Sequence, residues 1–157
     1  MKLFWNYIQR KIRRTFPGVP NVTTQVLADW LEDPSMADPI LIDVRAESEF
    51  AVSHLRNAIH ATKSKSILET IETIASNDAD STPRNVVLYC SVGYRSSRVA
   101  KELLEAGQDR VFNLDGSIFQ WANEGRPVYR EGSRVNDVHP YSWIWKFLLK
   151  KHVDASK

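Results

Sequence analysis

The chain has 157 residues, 43% of them hydrophobic, which is enough to bury one sizeable core and gives no sign of two. Its formal net charge of +2 is unevenly spread: residues 1–14 carry +5, residues 15–145 carry −6 (12 basic against 18 acidic) and residues 146–157 carry +3 (four basic against one acidic). Because the basic residues are concentrated at the ends rather than over a folded face, the charge does not indicate a nucleic-acid partner.

The single cysteine, Cys90, bounds the redox chemistry of the chain. No intramolecular disulfide can form, and no second thiol is available to resolve a persulfide or a sulfenate, so we expect a reducing, cytoplasmic environment. The N-terminus lacks the uninterrupted apolar segment of a signal peptide, and no run of residues approaches a membrane span.

Residues 1–20 are a basic N-terminal extension whose spacing predicts an amphipathic helix. One broad face is apolar, and the opposite face is polar and basic. The apolar face comprises Met1, Phe4, Trp5, Ile8, Ile12 and Phe16, and the polar face comprises Lys2, Asn6, Arg10 and Arg13.

Residues 21–130 are predicted to form the central domain, in which strands and helices alternate. Its first predicted helix, Thr24–Glu32, has Thr24 as candidate N-cap and Asp33-Pro34 as its stop. There follow a strand at 40–44, a weaker strand at 58–61, a helix at 66–75, a polar surface loop at 77–84, a strand at 86–89, a helix at 96–106, a strand at 111–114 and a helix at 117–124. Such alternation is typical of an α/β fold with a mostly parallel central sheet and helices on both faces.

Residues 131–157 are an aromatic and basic C-terminal extension, which also predicts an amphipathic helix. In it Tyr141, Ile144, Trp145 and Leu148 oppose Lys146 and Lys150. Two interpretations of the role of the terminal helices stay open. Their apolar faces pack on the domain or on each other, as such stripes usually do, or they attach the protein reversibly to an anionic membrane surface or a partner.

Cys90 lies between the predicted strand 86–89 and the predicted helix 96–106. It therefore begins a tight loop around a helix N-terminus, where amide N–H groups and the helix dipole bind anions and lower the pKa of a thiol. Gly93 lets the loop turn tightly, and Arg95 adds a permanent positive charge. A lone cysteine is more commonly a small buried hydrophobe, but the polar and cationic residues around this one favour a reactive thiol.

The spacing of this loop, residues 90–96, resembles the C-x-x-G-x-R-[ST] active-site loop of the rhodanese-like sulfurtransferases. Two further blocks agree in chain order. Residues 41–50 with His54 resemble the family's D-V-R…E-F…G-H-I-P-G-A block, and residues 114–121 and 125–128 resemble its closing L-x-G-G-x-x-x-W…G-x-P-V block.

The resemblance covers about residues 22–130, and the sequence departs from the family pattern at three places. Ser53 replaces a glycine, Arg56-Asn57 replaces Pro-Gly, and Asp115 replaces the first of two glycines. These positions lie outside the thiol loop, so they bear on turn geometry more than on chemistry.

The resemblance implies sulfur transfer through Cys90 as the catalytic residue. A thiolate attacks the outer sulfur of a small anionic donor such as thiosulfate, holds it as a persulfide and passes it to a thiol or cyanide acceptor. The loop that would hold the donor comprises Ser91, Val92, Gly93, Tyr94, Arg95 and Ser96. Ser91, Val92 and Tyr94 are uncharged, so the entrance is less cationic than one rich in arginine and lysine. Its affinity for free thiosulfate is then modest, and a protein-bound persulfide is an alternative donor. No cofactor and no His/Asp base are required, because a low thiol pKa activates the sulfur.

Asp43, Arg45 and Glu49 could form an acid–base set, but on the resemblance we interpret them as structural support that pins a strand end to the next turn by ion pairing. His54 and His60 lack the neighbouring cysteine or acidic pattern of a tetrahedral zinc site, so no metal is expected.

Two other classes of protein stay open. Cysteine-dependent phosphatases and arsenate reductases have five residues between the cysteine and the arginine, whereas only four separate Cys90 from Arg95, which makes a smaller cradle for an anion. A rhodanese-like binding or sensor module, in which Cys90 takes up sulfur or oxidant as a signal, is the non-enzymatic alternative. Turnover with any donor distinguishes it from an enzyme.

Overall fold

A five-stranded parallel sheet lies at the centre of the computed structural model, which describes residues 2–78, 83–143, 145–150 and 153–155. The strands are β1 (Asn21–Val22), β2 (Ile40–Asp43), β3 (Ile59–His60), β4 (Val86–Tyr89) and β5 (Val111–Leu114). They lie in the order β1-β5-β4-β2-β3, and each neighbouring pair is parallel. Every residue of β2 and β4 is buried, so both faces of the sheet are covered there.

Six α-helices and a small hairpin accompany the sheet in the described residues. The helices are α1 (Lys2–Thr15), α2 (Thr24–Glu32), α3 (Glu47–Val52), α4 (Ser64–Asn77), α5 (Tyr94–Glu105) and α6 (Ser117–Asn123). The hairpin joins β6 (Val128–Arg130) to β7 (Ser133–Val135). Among the described helices, we find none with the length and apolarity needed to cross a membrane.

The predicted α/β fold with a parallel central sheet is confirmed. Strands β4 and β5 and helix α2 have the predicted bounds. The N-cap of α2 was misplaced by one residue: Thr23 has extended backbone angles, and its hydroxyl accepts the N–H of Val26 at 3.2 Å. Helix α5 begins at Tyr94, two residues before the predicted start, because Gly93 is its N-cap. Part of the predicted 77–84 loop lies outside the described residues.

The sequence pattern missed α3, β1 and the hairpin. Helix α3 has six residues and β1 has two, so neither is long enough to show a hydrophobic period. Their positions depend on contacts with distant parts of the chain. Strand β1, for example, pairs with β5, more than eighty residues further along the sequence.

The N-terminal extension forms the predicted helix, and part of its apolar face packs on the domain. Ile8, Ile12 and Phe16 are buried in the core, and Trp5 packs against it. Phe4, predicted on the same face, is partly exposed and contacts Phe147 of the C-terminal extension, with ring centroids 5.2 Å apart. The packing interpretation of the N-terminal helix is therefore correct for most of its apolar face, and Met1 lies outside the described residues.

The amphipathic helix predicted for the C-terminal extension was wrong. The described part of the segment from Tyr141 onward contains one short 3₁₀ turn, Lys146–Leu148, and Ile144 lies outside the described residues. Tertiary hydrogen bonds replace the helical ones: the Asn123 side chain donates to the carbonyl of Leu148 at 2.6 Å and accepts the N–H of Lys150 at 2.8 Å. Leu148 is buried, so the segment packs on the domain, and its described residues form no α-helix.

Candidate active site

The thiol of Cys90 lies at the carboxyl end of the sheet, in a loop that curls around the sulfur before α5 begins. Gly93 has a φ of +112°, a left-handed conformation that suits glycine, and its N–H points to the sulfur with a nitrogen–Sγ distance of 3.2 Å. A Cβ on Gly93 would also lie 3.3 Å from the Asn113 side chain. The loop therefore depends on this glycine both for its turn and for its close packing.

The environment of Cys90 favours the thiolate although the side chain is only 1% exposed. Burial alone would raise the pKa of the thiol, but the charge of Arg95 and hydrogen bonds from Ser96 and from the Gly93 amide outweigh it, so the pKa is lowered. Ser96 Oγ lies 3.5 Å from the sulfur and 2.7 Å from Asn113 Oδ1. The Ser96 hydroxyl has one proton, which it can donate either to the Cys90 sulfur or to Asn113 Oδ1. It can therefore donate to the sulfur when the thiolate forms.

Arg95 is held beside the loop by Glu49 of α3. Its Nη1 and Nη2 donate to the two carboxylate oxygens of Glu49 at 2.8 and 2.9 Å, and Nη2 also donates to Ser91 Oγ at 2.9 Å. Burial would raise the pKa of Glu49, but its bonds from Arg95 and from the Ala46 N–H lower it. The same pairing with Glu49 offsets the burial of Arg95 and raises the pKa of the guanidinium. The cation therefore stays charged beside the sulfur.

Asp43 and Arg45 form a separate, fully buried ion pair. Arg45 Nη2 lies 2.7 Å from Asp43 Oδ2 and also donates to the carbonyl of Ser53 at 2.6 Å. This agrees with the interpretation of these two residues as support for a strand end. Glu49 accepts the Ala46 N–H at the start of α3, and both of its carboxylate oxygens also bind Arg95 in the thiol loop.

The back of the loop is fixed by hydrogen bonds from two distant elements. The Cys90 N–H donates to Ser117 Oγ at 3.1 Å, and its carbonyl accepts the N–H of Ile118 at 3.2 Å, so the start of α6 holds the loop in place. From α1, Gln9 Nε2 donates to the Val92 carbonyl at 2.9 Å, and Gln9 Oε1 accepts the Gly116 N–H at 3.3 Å. The sequence pattern did not single out Gln9, although its position between Ile8 and Ile12 places it on the apolar face of the helix.

Three of the residues that depart from the family pattern have a structural explanation. Asn57 has a φ of +57°, and asparagine tolerates this left-handed conformation better than most residues. Ser53 is buried, and its hydroxyl donates to the carbonyl of Asp137 in the C-terminal extension. Asp115 forms a 2.6 Å ion pair with Arg13 of α1. Two of the departures thus bind the two extensions to the domain.

A cavity of about 210 Å³ lies over Cys90, between the thiol loop and the C-terminal extension. Its walls are Cys90, Ser91, Val92, Tyr94, Arg95, Tyr141 and Trp145. The guanidinium carbon of Arg95 lies 4.5 Å from the centroid of the Tyr141 ring, which is a close cation–π contact. The extension therefore contributes directly to the surroundings of the thiol.

The sequence model of the rhodanese-like domain matches residues 23–124, well over half of the chain. The chain belongs to the rhodanese-like domain family. The match includes Cys90, Arg95 and Glu49, and it excludes α1 and the C-terminal extension. The two extensions are thus features of this rhodanese-like chain that lie beyond the matched domain.

Known proteins with this domain differ in their named activities. A sulfurtransferase of Allochromatium vinosum is 29% identical over 110 residues, covering 70% of this chain and 94% of that protein. A tRNA uridine(34) hydroxylase of Cupriavidus taiwanensis is 29% identical over 130 residues, covering 80% of this chain, but the chain spans only 46% of the hydroxylase. A rhodanese-like domain protein of Staphylococcus aureus has a similar fold, with a TM-score of 0.55 and 23% identity over 72% of this chain and 99% of that one.

Proposed function

We propose that this rhodanese-like protein is a sulfurtransferase that carries sulfane sulfur on Cys90 as a persulfide. One observation above all supports the proposal: a buried thiol whose pKa is lowered faces the Gly93 amide and the charge of Arg95. A thiol that served only to fill the core would need no such partners.

The chemistry follows in two displacement steps. The Cys90 thiolate attacks the outer sulfur of thiosulfate, a sulfur–sulfur bond forms on the enzyme, and sulfite leaves with the electron pair of the broken bond. The acceptor, cyanide or a thiolate, then attacks the outer sulfur of the persulfide and restores the Cys90 thiolate. The Gly93 amide and Arg95 stabilise the negative charge that returns to the sulfur in each step.

Intact-mass spectrometry before and after incubation with thiosulfate tests the proposal. We expect a gain of one sulfur atom that is lost again when cyanide is added, with thiocyanate formed over many turnovers. A stoichiometric gain without turnover, for any donor and acceptor, would instead indicate the binding or sensor module.

Phosphatase activity should be absent. Four residues separate Cys90 from Arg95, one fewer than in cysteine-dependent phosphatases, so the loop makes a smaller cradle, and the Arg95 guanidinium already binds both oxygens of Glu49. We expect no hydrolysis of an aryl phosphate above the rate of a Cys90→Ser variant. Hydrolysis that the variant lacks would favour the phosphatase class over the sulfurtransferase.

The proposed partners are a small anionic sulfur donor and a thiol or cyanide acceptor, with a protein-bound persulfide as the other donor class, and the proposed location is cytoplasmic. The hydroxylase relative is named for a tRNA, but this chain spans less than half of that protein. We propose no nucleic-acid partner, because the basic residues lie at the chain ends.

We further propose that the outer face of α1 contacts anionic membrane surfaces. Leu3 and Tyr7 are 87% and 62% exposed, and within the described residues Arg10, Lys11 and Arg14 form no ion pair. Exposed apolar side chains beside free basic groups suit a lipid headgroup layer.

Liposome flotation tests this contact. We expect binding to anionic vesicles at low salt that falls as salt is added, and loss of binding in Leu3→Glu/Tyr7→Glu with unchanged thermal stability. Deletion of residues 1–16 should lose binding and also lower the melting temperature, because Ile8, Ile12 and Phe16 are core residues. An intact chain that does not float at low salt would contradict the membrane contact.

A further inference from the structure

The wall of the cavity over Cys90 that faces the thiol loop is aromatic and is supplied by the C-terminal extension. Tyr141 and Trp145 form this wall, and Val92 and Tyr94 line the cavity from the loop side. Apart from Ser91 and Arg95, the lining side chains present carbon or sulfur surface or aromatic rings. Such a lining favours an apolar group over a hydrated anion.

The aromatic wall is held firmly in position. Leu148 and Val138, which flank it in the chain, are buried, and Asn123 binds the backbone at Leu148 and Lys150. The N–H of Trp145 donates to the carbonyl of Ser142 at 3.1 Å. A wall fixed in this way binds a ligand with little loss of conformational freedom.

Arg95 is largely occupied by groups of the protein. Two of its N–H groups bind Glu49, another bond goes to Ser91, and one face of the guanidinium lies against Tyr141. Glu49 also places a carboxylate beside the site. A dianionic donor such as thiosulfate therefore gains less from this arginine than it would from an unpaired one, and a donor with one charge and an apolar group is favoured.

The cavity has room for an organic group. A cavity of about 150 Å³ with apolar walls holds benzene. The volume of about 210 Å³ over Cys90 is larger, so a ring of this size fits together with the sulfur that it carries.

From these observations we infer that the cavity between the thiol loop and the C-terminal extension is a binding subsite for the apolar, preferably aromatic, group of an organic sulfane-sulfur donor, with Tyr141 and Trp145 as its specificity-determining residues. The inference rests on the proposed sulfur transfer through Cys90 and names its class of substrate. With an organic thiosulfonate, the Cys90 thiolate attacks the outer sulfur, the sulfur–sulfur bond of the donor breaks, and the organic sulfinate leaves with its electron pair.

Three donors probe the subsite: benzenethiosulfonate, methanethiosulfonate and thiosulfate. The first two carry the same single charge and differ in the apolar group. The measurement is the second-order rate of persulfide formation on Cys90, each rate being divided by the rate of the same donor with free cyanide in solution, so that intrinsic reactivity cancels. We expect benzenethiosulfonate to exceed methanethiosulfonate by roughly 10- to 100-fold on this scale.

Substitutions in the wall locate the preference. Trp145→Leu and Tyr141→Ala should each reduce the ratio of the benzenethiosulfonate rate to the methanethiosulfonate rate several-fold. Both donors meet the same Arg95, so a change in that cation alters both rates and leaves their ratio unchanged. Trp143→Ala is the matched control, because Trp143 belongs to the same segment but is 83% exposed and does not line the cavity. Thermal unfolding identifies any variant that has lost its fold, and Tyr141, which is half exposed, is the safer of the two positions.

The outcomes separate the two proposals. If no donor adds sulfur to Cys90, the sulfurtransferase proposal fails. If all three donors load it and the ratio is near one, or is the same in the Tyr141 and Trp145 variants as in the Trp143 control, sulfur transfer stands and the aromatic subsite is refuted.

Discussion

Replacement of Cys90 by serine should reduce thiosulfate:cyanide sulfur transfer to the uncatalysed rate, a loss of at least roughly a thousandfold, and should abolish the gain of one sulfur atom in intact mass. The hydroxyl is close in size to the thiol, but its much higher pKa leaves no anionic nucleophile in the loop. The chain has no other cysteine to take over the role.

The fold provides the control for this variant. Cys90 is buried and its backbone is held by Ser117 and Ile118, so Cys90→Ser should keep the far-ultraviolet circular dichroism of the parent and unfold cooperatively. Cys90→Ala serves as a second variant without a hydroxyl. Turnover retained in either folded variant would remove Cys90 from the mechanism.

The thiol loop could be predicted because its determinants are local. The residues from Val86 to Ser97 contain a buried β-branched strand, a glycine with positive φ and the start of a helix. These local features together place the Cys90 sulfur opposite the loop amides and the helix N-terminus. The central strands were predictable for a similar reason. Strands that are buried on both faces appear as short continuous apolar runs.

The partner of Arg95 could not be predicted from local pattern. Glu49 lies 46 positions earlier in the chain and reaches the loop only because α3 follows β2, which pairs with β4. In the sequence, Glu49 is near Asp43 and Arg45, so an ion-pair set of these three was the natural expectation. Parallel pairing of distant strands brought Glu49 to the thiol loop instead.

The role of the extensions is also a long-range property. Ser53 and Asp115 looked like minor departures in turns, yet Ser53 binds the C-terminal extension and Asp115 binds α1. At both positions the side chain that replaces a glycine forms the contact that binds an extension to the domain. Hydrophobic periodicity predicted α1 correctly, but it also predicted a helix for the C-terminal extension. Apolar spacing alone does not show whether the backbone hydrogen bonds of a segment are local or tertiary.

Replacement of Arg95 by alanine should have the second largest effect. Loss of its charge leaves burial as the dominant influence on the thiol, so the pKa of Cys90 should rise, and the pH at which iodoacetamide alkylation is half-maximal should move upward. At neutral pH, less thiolate is then present. We expect persulfide formation from thiosulfate to slow by roughly 10- to 100-fold, equivalent to about 1–3 kcal/mol for a lost charge-assisted interaction.

Arg98 offers a matched control, because it is an exposed arginine in the same helix. Arg98→Ala removes the same charge without touching Glu49 and should leave the alkylation profile nearly unchanged, since solvent screens its charge. Arg95→Lys should keep the pKa of the Cys90 thiol lower than it is in Arg95→Ala, because the positive charge remains, but lysine cannot form the paired bonds to the Glu49 carboxylate.

Because Arg95→Ala also leaves the buried Glu49 carboxylate without its partner, Arg95→Ala/Glu49→Gln separates a loss of stability from a loss of reactivity. An alkylation midpoint that is the same in Glu49→Gln and in Arg95→Ala/Glu49→Gln, which differ only at Arg95, would show that Arg95 supports the fold and does not activate the thiol.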